Sequence, residues 1–175
     1  STDDGAMQTF ENEDLGMART GGGVRITEDL LNQCIDPEYT MPGSITDRDT
    51  IVGIDPGKPI VYDIYDLRGD FIDLVATGAA HDRESLIAAI HRYRAYIGVL
   101  DQGPELQLVR DLMALFPNFW RCRYLVGTGN RLEASREVGT GDSWLEQRTV
   151  KVDRTIALDN VKTAFTRKII RLPHN

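Results

Sequence analysis

Residues 50–65, Thr-Ile-Val-Gly-Ile-Asp-Pro-Gly-Lys-Pro-Ile-Val-Tyr-Asp-Ile-Tyr, constrain this chain more than any other stretch. Ile51, Val52 and Ile54 have the β-branched composition of a buried strand. Asp55 ends the run, Pro56-Gly57 must turn, and a second β-rich run begins at Ile60. A carboxylate thus stands at the end of a buried strand, beside a tight turn and the next strand of a hairpin. An ionised Asp there is costly to desolvate unless it is paired or binds a metal. Asp-Pro-Gly is also an ordinary turn sequence in which the Asp bonds backbone amides. Whether Asp55 is a turn former or a functional carboxylate depends on the rest of the chain.

Leu67-Arg68-Gly69-Asp70 reads as a hairpin turn and Phe71 to Ala76 as a third strand, so three sequential antiparallel strands are expected. Leu86, Ile87, Ile90, Tyr93 and Ile97 recur at helical spacing and predict a helix from His81 to Tyr96, capped by His81 or Asp82. His91 flanks that stripe and reads as a helix-flank histidine. Ile97-Gly98-Val99-Leu100 then reads as a short buried strand, ending in Asp101-Gln102-Gly103-Pro104-Glu105. The grammar of the opening stretch returns: apolar strand, Asp, glycine, proline. A helix starts near Glu105, with Pro104 in its first turn and Leu106, Val109, Leu112, Met113 and Phe116 on its buried face. Phe119 to Val126 reads as a strand, Gly127 to Gly141 as a long loop with four glycines, and Trp144 to Val152 as a further strand. Thr155 is expected to cap a last helix with Leu158, Val161, Phe165 and Ile169 on one face. The order predicts an α/β fold with a mixed sheet, an antiparallel start followed by crossover units.

The first 49 residues read differently. Ser1 to Asp14 is acidic and has little to bury, and Leu15 to Gly23 is glycine-rich. Thr27 can cap a short helix with Leu30, Leu31 and Cys34 on its apolar side; Asp36-Pro37 ends it, and Pro42 to Asp49 is linker-like. The compact domain is expected to start near Thr50. A chain opening at Ser1 rather than Met is expected to be part of a longer protein. No apolar run approaches membrane-spanning length. Cys34 and Cys122 are far apart and read as reduced structural thiols, and no zinc-ligand spacing exists among them and His81, His91 and His174.

The net charge of −7 argues against a protein that coats nucleic acid. The charge is uneven, however. Residues 148–175 hold seven basic and two acidic side chains, a net of +5 against −12 for the remainder. An acidic body with a basic end fits a metal-using site beside a phosphate-facing surface; a solvated helix face is the plainer reading of the same run.

Asp55 and Asp101 each end a buried strand, and in open α/β sheets ligands gather beyond the carboxyl ends of strands. If the two strands are parallel neighbours, the carboxylates meet, and either one protonates or a cation lies between them. Carboxylates without His or Cys favour Mg2+ or Mn2+. Two such ions about 4 Å apart clamp the attacking and leaving oxygens in phosphodiester hydrolysis. Glu105 either assists such a site or complements the dipole of the helix it begins. There is no GxSxG elbow, no GxxxxGK[ST] phosphate loop and no HExxH.

Ile51-Val52-Gly53-Ile54-Asp55-Pro56-Gly57, followed by two hairpin strands, resembles the opening of an RNase H-like nuclease. Val99-Leu100-Asp101-Gln102-Gly103-Pro104-Glu105 resembles the second acidic motif of bacteriophage terminase large subunits. Lys151 to Asp159, running on to Ile169-Ile170-Arg171-Leu172-Pro173, is similar to a late segment of their nuclease domains, and Glu11 to Gly16 with Ile26 to Leu31 to the stretch that links their packaging ATPase to the nuclease. The resemblance implies an RNase H-like mixed β-sheet of three antiparallel strands then parallel strands, flanked by helices. Residues 1–49 would be a lead-in from an ATPase domain and 50–175 a nuclease domain, truncated at its C-terminus. It implies a metal-dependent endonuclease of a viral DNA-packaging motor, cutting concatemeric double-stranded DNA with Mg2+ or Mn2+ in a two-metal site held by Asp55 and Asp101. The implied partners are an ATPase domain, a portal protein and a small terminase subunit, with no membrane, in the host cytoplasm. The family's third acid lies on a later helix that this chain does not reach. Asp153, Asp159 and His174 are in-chain candidates that are not favoured: Asp153 or Thr155 reads better as a helix N-cap, and Asp159 as a helix-surface residue. Two other readings stand beside it: a Holliday-junction-resolvase-like nuclease, and a non-catalytic module docking to a portal or capsid partner.

Overall fold

The computed structural model describes residues 26–67, 69–103, 105–125, 132–138 and 146–174. Among these, four helices flank one nine-stranded sheet. The strands are β1 (Ile35–Asp36), β2 (Thr50–Asp55), β3 (Ile60–Asp66), β4 (Ile72–Ala80), β5 (Ala95–Asp101), β6 (Phe119–Leu125), β7 (Leu132–Val138), β8 (Glu146–Asp153) and β9 (Ile170–Pro173). The helices are α1 (Glu28–Asn32), α2 (Arg83–Arg92), α3 (Leu106–Leu115) and α4 (Arg154–Thr166). Across the sheet the order is β1-β9-β4-β3-β2-β5-β6-β8-β7. At its centre, β4, β3 and β2 pair antiparallel, and β2, β5, β6 and β8 follow in parallel. This is the mixed sheet that the sequence predicts, an antiparallel start followed by parallel strands.

The alternation of the strands sorts the side chains. Val52, Ile54, Ile64, Leu100 and Phe119 are buried on one face, where they meet Leu86 and Ile90 of α2 and Val109 and Leu112 of α3. Asp82 caps α2, its carboxylate accepting from the Ser85 N–H at 2.7 Å. A buried Arg148 closes the far end of this core by donating to the carbonyls of Phe119 and Met113.

Several sequence expectations are corrected. The helix predicted to reach Tyr96 ends at Arg92; Arg94 takes a positive φ of 51°, and Ala95 starts β5, because the chain must return to pair with β2. Ile97 therefore lies on a strand rather than the helix stripe. The expected loop 127–141 contains β7, antiparallel to β8; its other residues and Trp144 lie outside the described residues, as do the readings of residues 1–25. The cap of α4 is Asp153, not Thr155, and Leu158 and Val161 on that helix are exposed. Leu172-Pro173 belongs to β9, which a local reading could not find because its partners, β1 and β4, lie far away in sequence.

The stretch expected to be a lead-in contributes β1 to the sheet edge and Ile45 to the core. Arg171 fastens it. Its guanidinium binds both oxygens of Asp73, at 2.7 and 2.6 Å, reaches Asp36 at 3.4 Å and lies over the Tyr39 ring. Burial, then the charge of Asp73, pushes the Tyr39 phenol up to about 12.

Two glycines on the central strands are opposites. A side chain at Gly98 would come within 2.7 Å of the Phe119 ring, whereas Gly53 has open space above it. Gly98→Ala should therefore lower the unfolding free energy by about 1–3 kcal/mol through overpacking. Gly53→Ala should leave it unchanged or raise it by up to about 1 kcal/mol. Urea denaturation midpoints of the two variants check both.

Candidate functional site

β2 and β5 run parallel with Ile54 beside Leu100, so the next residues, Asp55 and Asp101, end neighbouring strands side by side. Adjacent strands place their Cα atoms about 4.8 Å apart. Ile54 and Leu100 are buried in the α2/α3 core, at 4 % and 0 % exposure. Asp55 and Asp101 therefore point to the other face, together with Gly53 and Val99. Asp55 is exposed and Asp101 half-buried.

The two loops that follow these carboxylates are joined. Pro56 is fully buried, and a side chain built on Gly103 would contact its ring at 3.6 Å. Lys58 Nζ reaches Glu105 Oε1 at 3.0 Å, linking the turn after Asp55 to the start of α3. That pair is well exposed, so its energetic contribution is small. Glu105 is thus engaged by Lys58 and makes no capping bond to α3. Gly57 lies beside the first acid: a Cβ built there would sit at ordinary contact distance, 3.7 Å from Asp55 Oδ1 and 3.4 Å from the Pro59 carbonyl. Gln102, directly after Asp101, has its Oε1 buried with no hydrogen-bond partner among the described residues.

The same row continues into β6, where Cys122 pairs with Asp101. Burial pushes the Cys122 thiol up, and the Asp101 charge adds to this. Tyr124 lies two residues on, on the same face; burial and the charges of Cys122 and Asp101 hold its phenol protonated above the usual range. The sequence marks Cys122 only as a structural thiol and does not single out Tyr124. Their spacing of two on a predicted strand is the available signal, but it does not say which strand lies beside Asp101.

The other candidates lie elsewhere. Asp153 is buried and caps α4, accepting from Thr155 N at 3.0 Å and Ile156 N at 3.3 Å. It ends β8, two strands from β5 and three residues further along, so it stands more than about 10 Å from Asp101. Asp159 is on the helix surface, 3.5 Å from Lys162. His174 lies at the β1/β9 edge, four strands from β5, where its backbone N–H donates to the Tyr39 carbonyl. His91 packs its ring on Phe116, and His81 is exposed at the start of α2.

The donor set at the strand ends is all oxygen, which suits a hard divalent cation. Two adjacent carboxylates, open to solvent on one face, fit such an ion as a pair. Among the described residues no group of three His, Cys, Asp or Glu could complete a site. No helix among them is long and apolar enough to cross a membrane.

No family model matches the chain, and no curated protein does. One solved structure with a similar fold is the human cytomegalovirus terminase nuclease domain, Mn soaked and inhibitor bound. It shares 8 % identity over 86 % of this chain and 77 % of that one, with a TM-score of 0.49.

The cap role of Asp153 gives an expected outcome. Asp153→Ala should lower the unfolding free energy by about 1 kcal/mol, and Asp153→Asn by less, because Asn still accepts from the first-turn amides. Thermal melts of the two variants, compared at one pH, check this.

Proposed function

We propose that this domain is a metal-dependent endonuclease acting on double-stranded DNA, with Asp55 and Asp101 as its metal-binding carboxylates. The observation that carries the reading is the parallel pairing of β2 with β5, which sets the two acids side by side on the open face of the sheet. Two like charges so close are stable together when a cation lies between them. The chain supplies two carboxylates at the ends of neighbouring strands, followed by loops that meet at Pro56 and Gly103. When bound there, Mg2+ or Mn2+ provides Lewis acidity toward a phosphate oxygen and a more acidic water, with two ions serving the attacking and leaving oxygens. The fixed acids orient that chemistry, and the accessible sheet face admits a phosphodiester.

The motifs around Asp55 and Asp101 favour a terminase setting. In that reading the domain cuts concatemeric viral DNA in the host cytoplasm, beside an ATPase domain, a portal protein and a small terminase subunit. One observation favours a second reading, a non-catalytic module that docks to a portal or capsid partner: no third ligand joins the pair among the described residues.

Two measurements separate these. Asp55→Asn and Asp101→Asn should each reduce Mn2+-dependent nicking of supercoiled plasmid by at least about a hundredfold, the scale of losing a few kcal/mol of metal-derived stabilisation. Undiminished cutting in either variant refutes the assignment. Millimolar Mn2+ should also raise the melting temperature by roughly 5–10 °C when present at about a hundred times its dissociation constant. Both Asn variants should lose that rise, and a flat response in the unaltered chain counts against a metal site.

A further inference from the structure

A cavity of about 460 Å3 opens at the rim of the sheet, between the turn that follows β2 and the first residues of α2 and α3. That volume is in the range of ligand sites. Gly57 forms part of its wall, and a Cβ built on Gly57 would stand 3.7 Å from Asp55 Oδ1, so the cavity begins beside the first acid. Ile60, which is buried, and the half-buried Leu108 give it apolar lining.

Two of its side chains have hydrogen-bond donors to spare. Lys58 is 86 % exposed and reaches Glu105 Oε1 at 3.0 Å. An ammonium has three N–H groups, so this contact leaves two. Glu105 also lines the cavity, and its carboxylate tethers the flexible lysine stem at the mouth. The exposed His81 ring enters no hydrogen bond among the described residues. Arg83 is a third basic residue in the wall, but its fork is committed to Glu84 and Asp111, at 3.1 to 3.3 Å, and it is not counted as a donor. Spare donors beside a carboxylate that Lys58 already matches call for a ligand rich in acceptor oxygens.

Resting on the nuclease reading, we propose that this cavity receives the DNA backbone next to the cut, with Lys58 and His81 donating to the oxygens of one flanking phosphate. A lone phosphate would leave most of the volume empty. A phosphate with its adjoining sugar suits it, the sugar carbons meeting Ile60 and Leu108. In a protein of net charge −7, affinity for a duplex has to come from such locally placed donors. Neither residue holds the metal, so both act by positioning the strand.

The test is equilibrium binding of a fluorescent duplex of about 20 base pairs to the whole chain in Ca2+, between 50 and 200 mM NaCl, with plasmid nicking in Mn2+ measured alongside. Loss of one phosphate contact in Lys58→Gln should make the slope of log affinity against log salt shallower by about 0.9, so that the gap to the unaltered chain narrows about threefold across that range. His81→Ala should weaken binding by about three- to tenfold, the scale of one hydrogen bond. In both variants KM for nicking should rise while kcat stays near its original value. Lys58→Gln should melt within about 2 °C of the original, since the side chain is on the surface. Arg94 precedes β5 at the end remote from Asp101, more than about 20 Å away, and Arg94→Gln should retain the slope. An unchanged slope in Lys58→Gln, or an equal flattening in Arg94→Gln, overturns the phosphate site and leaves the nuclease reading standing if the unaltered chain cuts. A flattened slope in Lys58→Gln alone, in a chain that does not cut, keeps the phosphate site and removes the nuclease reading.

Discussion

The pairing of β2 with β5 is the constraint on which the rest of this molecule depends. It is parallel and in register, with Ile54 against Leu100. That register does two things at once. It sends two large aliphatic side chains into the core under α2 and α3, and it leaves the next residue of each strand on the opposite face. A slip of one residue would bury a carboxylate and expose an isoleucine or a leucine. The hydrophobic effect therefore fixes the position of the two acids without any direct interaction between them. Gly98 supports this arrangement on the next strand pair, where its missing side chain lets the Phe119 ring lie flat against β5.

The site combines rigidity below with access above. Beneath the acids lies the most deeply buried part of the protein, where Leu100, Leu112 and Phe119 are fully covered. Above them, Gly53 carries open space, and Val99 and Ile97 are partly exposed. A pair of like charges is held where hydration or a cation can relieve their repulsion, on strand ends that cannot easily move apart. Cys122 and Tyr124 extend the row across β6, so that one face carries acids, a thiol and a phenol in sequence. The far side of the sheet is organised by a different interaction, the grip of Arg171 on Asp73 and Asp36, which ties β1 and β9 to β4.

Much of the central fold was legible because its signals are local. Strands β2, β3 and β6 and helix α3 announce themselves through β-branched runs, glycine turns and a repeating apolar face. The errors have a common cause. Ile97 fits the helical spacing of residues 86–93 by coincidence, and only the demand of β2 for a partner pulls residues 95–97 into a strand. β7 has a polar sequence, Leu-Glu-Ala-Ser-Arg-Glu-Val, and pairs at the sheet edge, where burial imposes little hydrophobic pattern. β9 is four residues long and draws its stability from partners about a hundred or more positions away in sequence.

The sequence by itself determined that two aspartates follow buried strands and that each is succeeded by a glycine- and proline-containing turn. Those are properties of short windows, set by side-chain shape, backbone freedom and the penalty for burying charge. It did not determine that the two strands are neighbours, that the acids share a face, or that Cys122 and Tyr124 stand beside them. Those relations join residues tens of positions apart, and they exist only once burying the Val52, Ile54, Leu100 and Phe119 side chains has chosen a single strand order and register.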